Sequence, residues 1–227
     1  MKKSFVVFSL LFLLASCKSS NGPEPAEPAI MPTAPSEYTY AVVRPAFAGH
    51  GDVHLVERDS ILSAANNIFD VVRRSDSIDG FFTTMDHDRY QVVAPGDLRV
   101  LGTDTACYCD STALPIATHR SYDPSHGGIQ TPTKKNGVIV IGSVTSHTQF
   151  DGMENVEAAG ETFRCSKVEK RITIVASSGD PQSPVETTVI THIYWYSPAI
   201  QFFVKDQLLS DDSLSFTRTM MSYKLGK

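Results

Sequence analysis

The chain has 227 residues, 41% hydrophobic and 9% aromatic, and its 25 Asp and Glu outnumber 20 Lys and Arg for a formal charge of −5. That apolar content suffices for a globular core. The negative balance, with no basic run longer than Lys134-Lys135 or Arg73-Arg74, excludes a general nucleic-acid binder.

Lys2 and Lys3 precede an apolar run from Phe5 to Leu14, which Leu14-Ala15-Ser16-Cys17 closes. A positive n-region followed by a short h-region reads as a secretory signal, and the run is shorter than the roughly 20 residues of a membrane span. Its ending resembles the lipobox of bacterial lipoproteins. The resemblance implies a signal peptide over 1–16, removed to leave Cys17 as an acylated first residue carrying palmitate-type chains. The alternative is an ordinary signal peptide with a coincidental cysteine. One acyl chain binds a membrane only marginally, so the several chains of lipoprotein processing would supply the anchor. Lys18 stands where an Asp would favour the inner membrane in enteric bacteria, which points to the outer membrane, on its periplasmic or outer face.

Residues 17–37 continue as the acylated cysteine and a segment with five prolines and few large apolar residues. Such a segment buries too little to offset ordering and is expected to be an extended tether. Residues 38–227, about 190 in all, fit one β-rich domain.

Within it, Glu37–Arg44 alternates Tyr38, Tyr40 and Val42 and stops at Pro45, as a first strand would. A short extended run at 53–58 follows. Asp59 to Ala65 is the best helical candidate, with Asp59 or Ser60 as cap. NIFDVVRR, DGFFTTM and RYQVVA predict three strands of a meander. The stretch 96–136 is rich in Gly, Asp and Pro, predicts a long irregular segment, and is the first place to look for function. Strand character resumes from Gly137 to Phe150.

The stretch 152–223 reads as the framework. From Thr187 to Tyr196, Val189, Ile193 and Trp195 fall on one side of an extended chain, and Ile190, His192, Tyr194 and Tyr196 on the other. A strand covered on both faces belongs in the middle of a sheet, with Thr162–Ala176 and Leu214–Tyr223 as its expected neighbours. The predicted fold is mainly β: a curved antiparallel sheet or partly open barrel of about ten strands with at most one short helix. The tokens Ala159-Gly160-Glu161-Thr162-Phe163-Arg164-Cys165, Lys167-Val168, Tyr194-Trp195-Tyr196-Ser197-Pro198 and Val204-Lys205 resemble a pattern of uncharacterised β-rich bacterial envelope proteins. That resemblance implies a curved sheet similar in shape to the lipoprotein-localisation carriers, and it brings no catalytic residues.

Four features are candidates for chemistry. Besides Cys17, the cysteines are Cys107, Cys109 and Cys165. In an exported chain an odd number leaves one disulfide and one free thiol, and a bond from Cys107 or Cys109 to Cys165 would close a long loop. Cys165 reads equally as an inert buried thiol. Cys107, Cys109, His119 and His126 have the ligand types of zinc, but their spacings match no familiar zinc arrangement, so no metal or other cofactor is expected. Asp86-His87-Asp88 reads as a polar turn between strands, and His192 as a hydrogen-bonded core or edge histidine; His50 and His54 would meet across one helical turn, but Gly49 and Gly51 disfavour a helix there. The aromatic set Tyr194, Trp195, Tyr196, Phe202 and Phe203 reads either as core packing or as an apolar, stacking ligand surface on a concave sheet.

No G-x-S-x-G, S-x-x-K or H-E-x-x-H motif is present. The expected function is a non-catalytic binding or structural module of the envelope, attached to the membrane through Cys17. Its partner would be an apolar ligand, a glycan or an envelope protein. The alternatives are a lipid or lipoprotein carrier with an apolar cavity, and a metal-assisted hydrolase built on residues 86–126.

Overall fold

The computed structural model describes residues 27–46, 51–77, 83–94, 96–103, 113–117, 133–135, 138–177 and 184–227. Every regular element among them is a strand: β1 (Ser36–Arg44), β2 (Val53–Ala65), β3 (Ile68–Ser77), β4 (Thr83–Val93), β5 (Asp97–Thr103), β6 (Ala113–Leu114), β7 (Thr133–Lys135), β8 (Val138–Ala158), β9 (Glu161–Ser177), β10 (Glu186–Ser197), β11 (Phe202–Ser210) and β12 (Ser213–Lys224). They form one antiparallel sheet in the order β6-β5-β4-β3-β2-β1-β12-β11-β10-β9-β8-β7. The first and last strands pair with each other, Val42 opposite Arg218 and Tyr38 opposite Tyr223. From that seam two meanders run outward, one through β2 to β6 and the other through β11 to β7. The sheet curls until its edges meet, nearly closing as a barrel. Thr148 on β8 donates to the Ala113 carbonyl at 3.3 Å, and Ser166 on β9 to the Ile116 carbonyl at 3.2 Å.

Two-residue turns make this meander possible. Asn66-Asn67, Ala159-Gly160 and Asp211-Asp212 all have positive φ at both positions. Turns of that hand match the right-handed twist of the flanking strands, and Asn, Asp and Gly tolerate the left-handed region best.

Three expectations are corrected. Asp59 to Ala65 is not helical but the end of β2, because Asp59 and Ile61 alternate inward with no exposed surface and Asp59 has ionic partners there. Thr83-Thr84-Met85 and Arg89 to Val93 lie on a single strand, so Asp86-His87-Asp88 is part of β4 and not a turn. β10 pairs with β9 as expected, but its other neighbour is β11, and β12 lies one strand further on, against β11 and β1. The middle of the sheet is therefore the β1–β12 seam.

One end of the barrel is filled by aromatic rings. Phe202 stacks on Tyr38 at 4.9 Å and meets Tyr90 edge-on at 6.0 Å, Phe69 stacks on Tyr90 at 5.2 Å, and Phe203 lies 5.0 Å from Phe202. These contacts join β1, β3 and β4 to β11 across the interior. The Tyr38 hydroxyl donates to the Ile200 carbonyl and the Tyr40 hydroxyl to that of Phe203, both at 2.8 Å, so two buried phenols are satisfied where the chain turns into β11.

The same end carries a strap. Residues 27–35, expected as part of a free tether, lie across it instead. Ala29 N–H donates to the Gly96 carbonyl at 2.6 Å, Ile30 N–H to the Tyr196 hydroxyl at 2.9 Å and Thr33 N–H to Gln201 Oε1 at 2.9 Å. Gly96 has φ of 111°, and a Cβ built on it would sit 2.7 Å from Pro28 Cβ. Gly96→Ala is thus expected to cost about 1–3 kcal/mol and to loosen the strap. Thermal unfolding would show the loss, and proteolysis within 27–35 would become faster than in the parent.

Candidate functional site

Beyond the aromatic layer the inner face changes character. Strand register places Arg218 opposite Asp206 on β11, and Arg73 opposite Asp59 on β2. Glu57 and Asp59, two residues apart, share one face of β2. Arg218 Nε lies 2.7 Å from Asp206 Oδ2, and its Nη1 lies 2.8 Å from Asp59 Oδ2 and 3.4 Å from Glu57 Oε2. Arg73 Nε is 3.1 Å from Asp59 Oδ1, and its Nη2 is 3.5 Å from Asp88 Oδ2 on β4. The Arg218 guanidinium also stacks 4.2 Å from the Tyr40 ring centroid. The result is an ion-pair belt spanning β4, β3, β2, β12 and β11. Side-chain exposure is 5% for Arg218, 4% for Asp206 and 0% for Asp59.

Burial alone would raise the Asp206 carboxyl, but Arg218 and the hydrogen bond from His192 outweigh it and hold the group well below the usual carboxylate range. Asp88 goes the other way: burial raises it and Arg73 offsets only part of that. Both arginines are pushed upward, because the carboxylates around them overcome desolvation. Asp206, Arg73 and Arg218 are thus charged at neutral pH.

His192 and Tyr194 extend the belt onto β10. His192 Nε2 is 3.5 Å from Asp206 Oδ1, and the Tyr194 hydroxyl is 2.7 Å from His192 Nδ1. An ionised carboxylate only accepts, so Nε2 carries the imidazole proton and Nδ1 accepts from the phenol. Burial lowers the His192 pKa despite Asp206, and it raises that of Tyr194 far above the phenol range. A phenol so raised is a poor nucleophile at neutral pH. This Asp206–His192–Tyr194 chain ties β11 to β10.

A histidine whose folded pKa is depressed takes up a proton more readily when unfolded. Stability is then intact above the unfolded value of about 6.5 and falls as pH drops below it toward the folded pKa. Thermal melts of the parent should lose midpoint between pH 7 and pH 5, and His192→Gln should flatten that slope.

The aromatic set divides between the two faces. Tyr194 and Tyr196 point inward, each against Phe203, at 5.3 and 6.0 Å. Tyr196, Phe202 and Phe203 have at most 1% exposure and pack inside the sheet. Trp195 faces the other side at 4% exposure. There Lys167 and Lys205, its partners in register, sit 5.7 and 4.6 Å from its centroid, and its Nε1–H donates to Glu154 at 3.0 Å.

Cys165 is a free, fully buried thiol whose pKa burial pushes up to about 12. Its candidate disulfide partners Cys107 and Cys109 lie outside the described residues, as do Cys17, His50, His119 and His126. Asp88 joins the belt, while His87 lies 3.5 Å from Asp70 on β3. His54 is exposed. No group of three or more His, Cys, Asp or Glu among the described residues is placed to hold a metal ion.

Sequence reading picked out His192 as a bonded core residue but missed the belt. Its signal is a charge at a position whose preceding neighbour on the same face is apolar: Asp206 in FFVKDQLL, Arg218 in SFTRTMM, Arg73 in IFDVVRR.

No family model matches the chain, and no curated protein sequence matches it. Among solved structures it is similar to a candidate exported protein with a YmcC-like fold from Bacteroides fragilis NCTC 9343, with TM-score 0.46, 14% identity and coverage of 87% of this chain and 100% of that one. A candidate lipoprotein from Parabacteroides distasonis ATCC 8503 gives TM-score 0.48 and 13% identity, covering 88% and 100%. The hypothetical lipoprotein YmcC from Escherichia coli K12 gives 0.35 and 9%, covering 87% and 90%.

Proposed function

We propose that this chain is a lipid-anchored protein of the bacterial outer membrane whose β domain is a non-catalytic structural or docking module, meeting its partner with outer faces and strand edges. The observation that carries this reading is the occupied inner face: aromatic rings fill one end and an ion-pair belt crosses the next layer. An acyl chain laid along the belt would strip the remaining water from Arg73, whose side chain is 23% exposed, and offer no polar partner in return, which is costly. That weighs against the carrier alternative. The Leu14-Ala15-Ser16-Cys17 motif supports the anchor, and the phenol chemistry of the His192 cluster gives no support to a hydrolase there.

Photo-crosslinking in cells tests the module. Leu62 and Met221, 61% and 53% exposed, are outward sites, whereas Leu208 stands opposite His192 on the inner face. Crosslinkers at 62 and 221 should capture an envelope protein or glycan. Adducts with lipid, formed from position 208 and not from the outward sites, would favour a carrier instead.

A further inference from the structure

The strap sets how the domain stands on a membrane. We infer that the strap end of the barrel faces the bilayer and that the end rimmed by Val53, Val185 and Leu214 points away from it. This rests on the lipid-anchor reading above.

The strap is not a loose leader. Ala29 is 7% exposed, three backbone N–H groups from Ala29 to Thr33 are held by Gly96, Tyr196 and Gln201, and Pro28 fills the space a side chain at position 96 would need. The C-terminus is fastened at the same end, where Gly226 N–H donates to Ser36 Oγ at 2.9 Å. Ser36, Ala65, Ile68, Val93, Asp97, Ser197, Phe202 and Lys224 all begin or finish their strands there. Val53 and Leu214 lie at the start of β2 and β12, and Val185 just before β10, at the far end; they are 48%, 43% and 61% exposed.

Chain length then decides. Between Cys17 and Glu27, where the described chain begins, the backbone takes ten steps through residues 18 to 26, which reach at most about 36 Å when drawn out straight. β10 alone has 12 residues, about 40 Å along the strand. An inverted domain, with Val185 against the lipid, would need the tether drawn out almost straight over the height of the sheet, at nearly the whole cost of its conformational freedom. Exposed charges near the strap are mixed, Glu27 and Glu37 with Lys224 and Lys227. The orientation therefore follows from covalent reach and not from attraction to anionic lipid.

Energy transfer to a headgroup acceptor tests this. The full chain would be processed in a bacterial host and placed in phosphatidylcholine–phosphatidylglycerol vesicles. A donor would be attached at Glu37→Cys or Val185→Cys in a Cys107→Ser, Cys109→Ser background, where buried Cys165 does not label. Transfer from position 37 should exceed that from position 185 by about threefold or more, without change on raising salt. Inserting about 20 flexible residues after Asn21 should shrink the difference, and since this lengthens only the tether it keeps the test valid if the cysteine variants alter folding. Equal or reversed transfer from an acylated chain would overturn the orientation and leave the anchor standing. A mature chain whose mass carries no acyl groups would overturn both.

Discussion

Arg218→Met is expected to lower the unfolding free energy by about 3–5 kcal/mol, read from urea unfolding at pH 7. Arg218 bonds Asp206 and Asp59 and lies beside Glu57, all with little or no exposed side chain. Methionine fills most of the volume but leaves Asp206 buried without its arginine, and leaves Asp59 and Glu57 to share Arg73 alone. With Arg218 gone, burial is left to push the Asp206 carboxyl upward, so the variant gains from its protonation as pH falls. The gap between variant and parent should narrow between pH 7 and pH 4. Adding Asp206→Asn should recover much of the loss, because a buried pair is worth little against neutral groups of the same shape even though breaking it is costly.

Phe202→Ala should cost a similar amount by a different route, about 3–5 kcal/mol at any pH from 5 to 8. Phe202 is 0% exposed and touches the rings of Tyr38, Phe69, Tyr90 and Phe203, so its removal opens a cavity where β1, β3 and β4 meet β11. Phe202→Leu should cost less, since the hole is smaller. A loss independent of pH separates this layer from the belt.

The strands were legible where alternation was clean. Tyr38, Tyr40 and Val42 announce β1, and the pattern from Thr187 to Tyr196 announces β10. The misreadings have physical causes. Asp59-Ser60 resembles a helix cap because the same short polar side chains serve caps and buried ion pairs, and only long-range partners on β3 and β12 decide between them. Asp86-His87-Asp88 resembles a turn because three polar residues in a strand make sense only if one of them, Asp88, has Arg73 to face. The belt was invisible for the same reason: its members are separated by up to 161 positions, as Arg218 and Glu57 are. The strap escaped because its bonds come from backbone N–H groups, which no composition rule registers.

The central claim is that the inner face of the sheet is occupied by its own side chains. Native mass spectrometry of the mature full chain, extracted from membranes in a detergent unlike lipid, tests it most directly. The account predicts the mass of the polypeptide from Cys17 onward with its covalent acyl groups and nothing further. A one-to-one lipid adduct that persists through purification, and is lost when Leu208 is replaced by Trp, would contradict it.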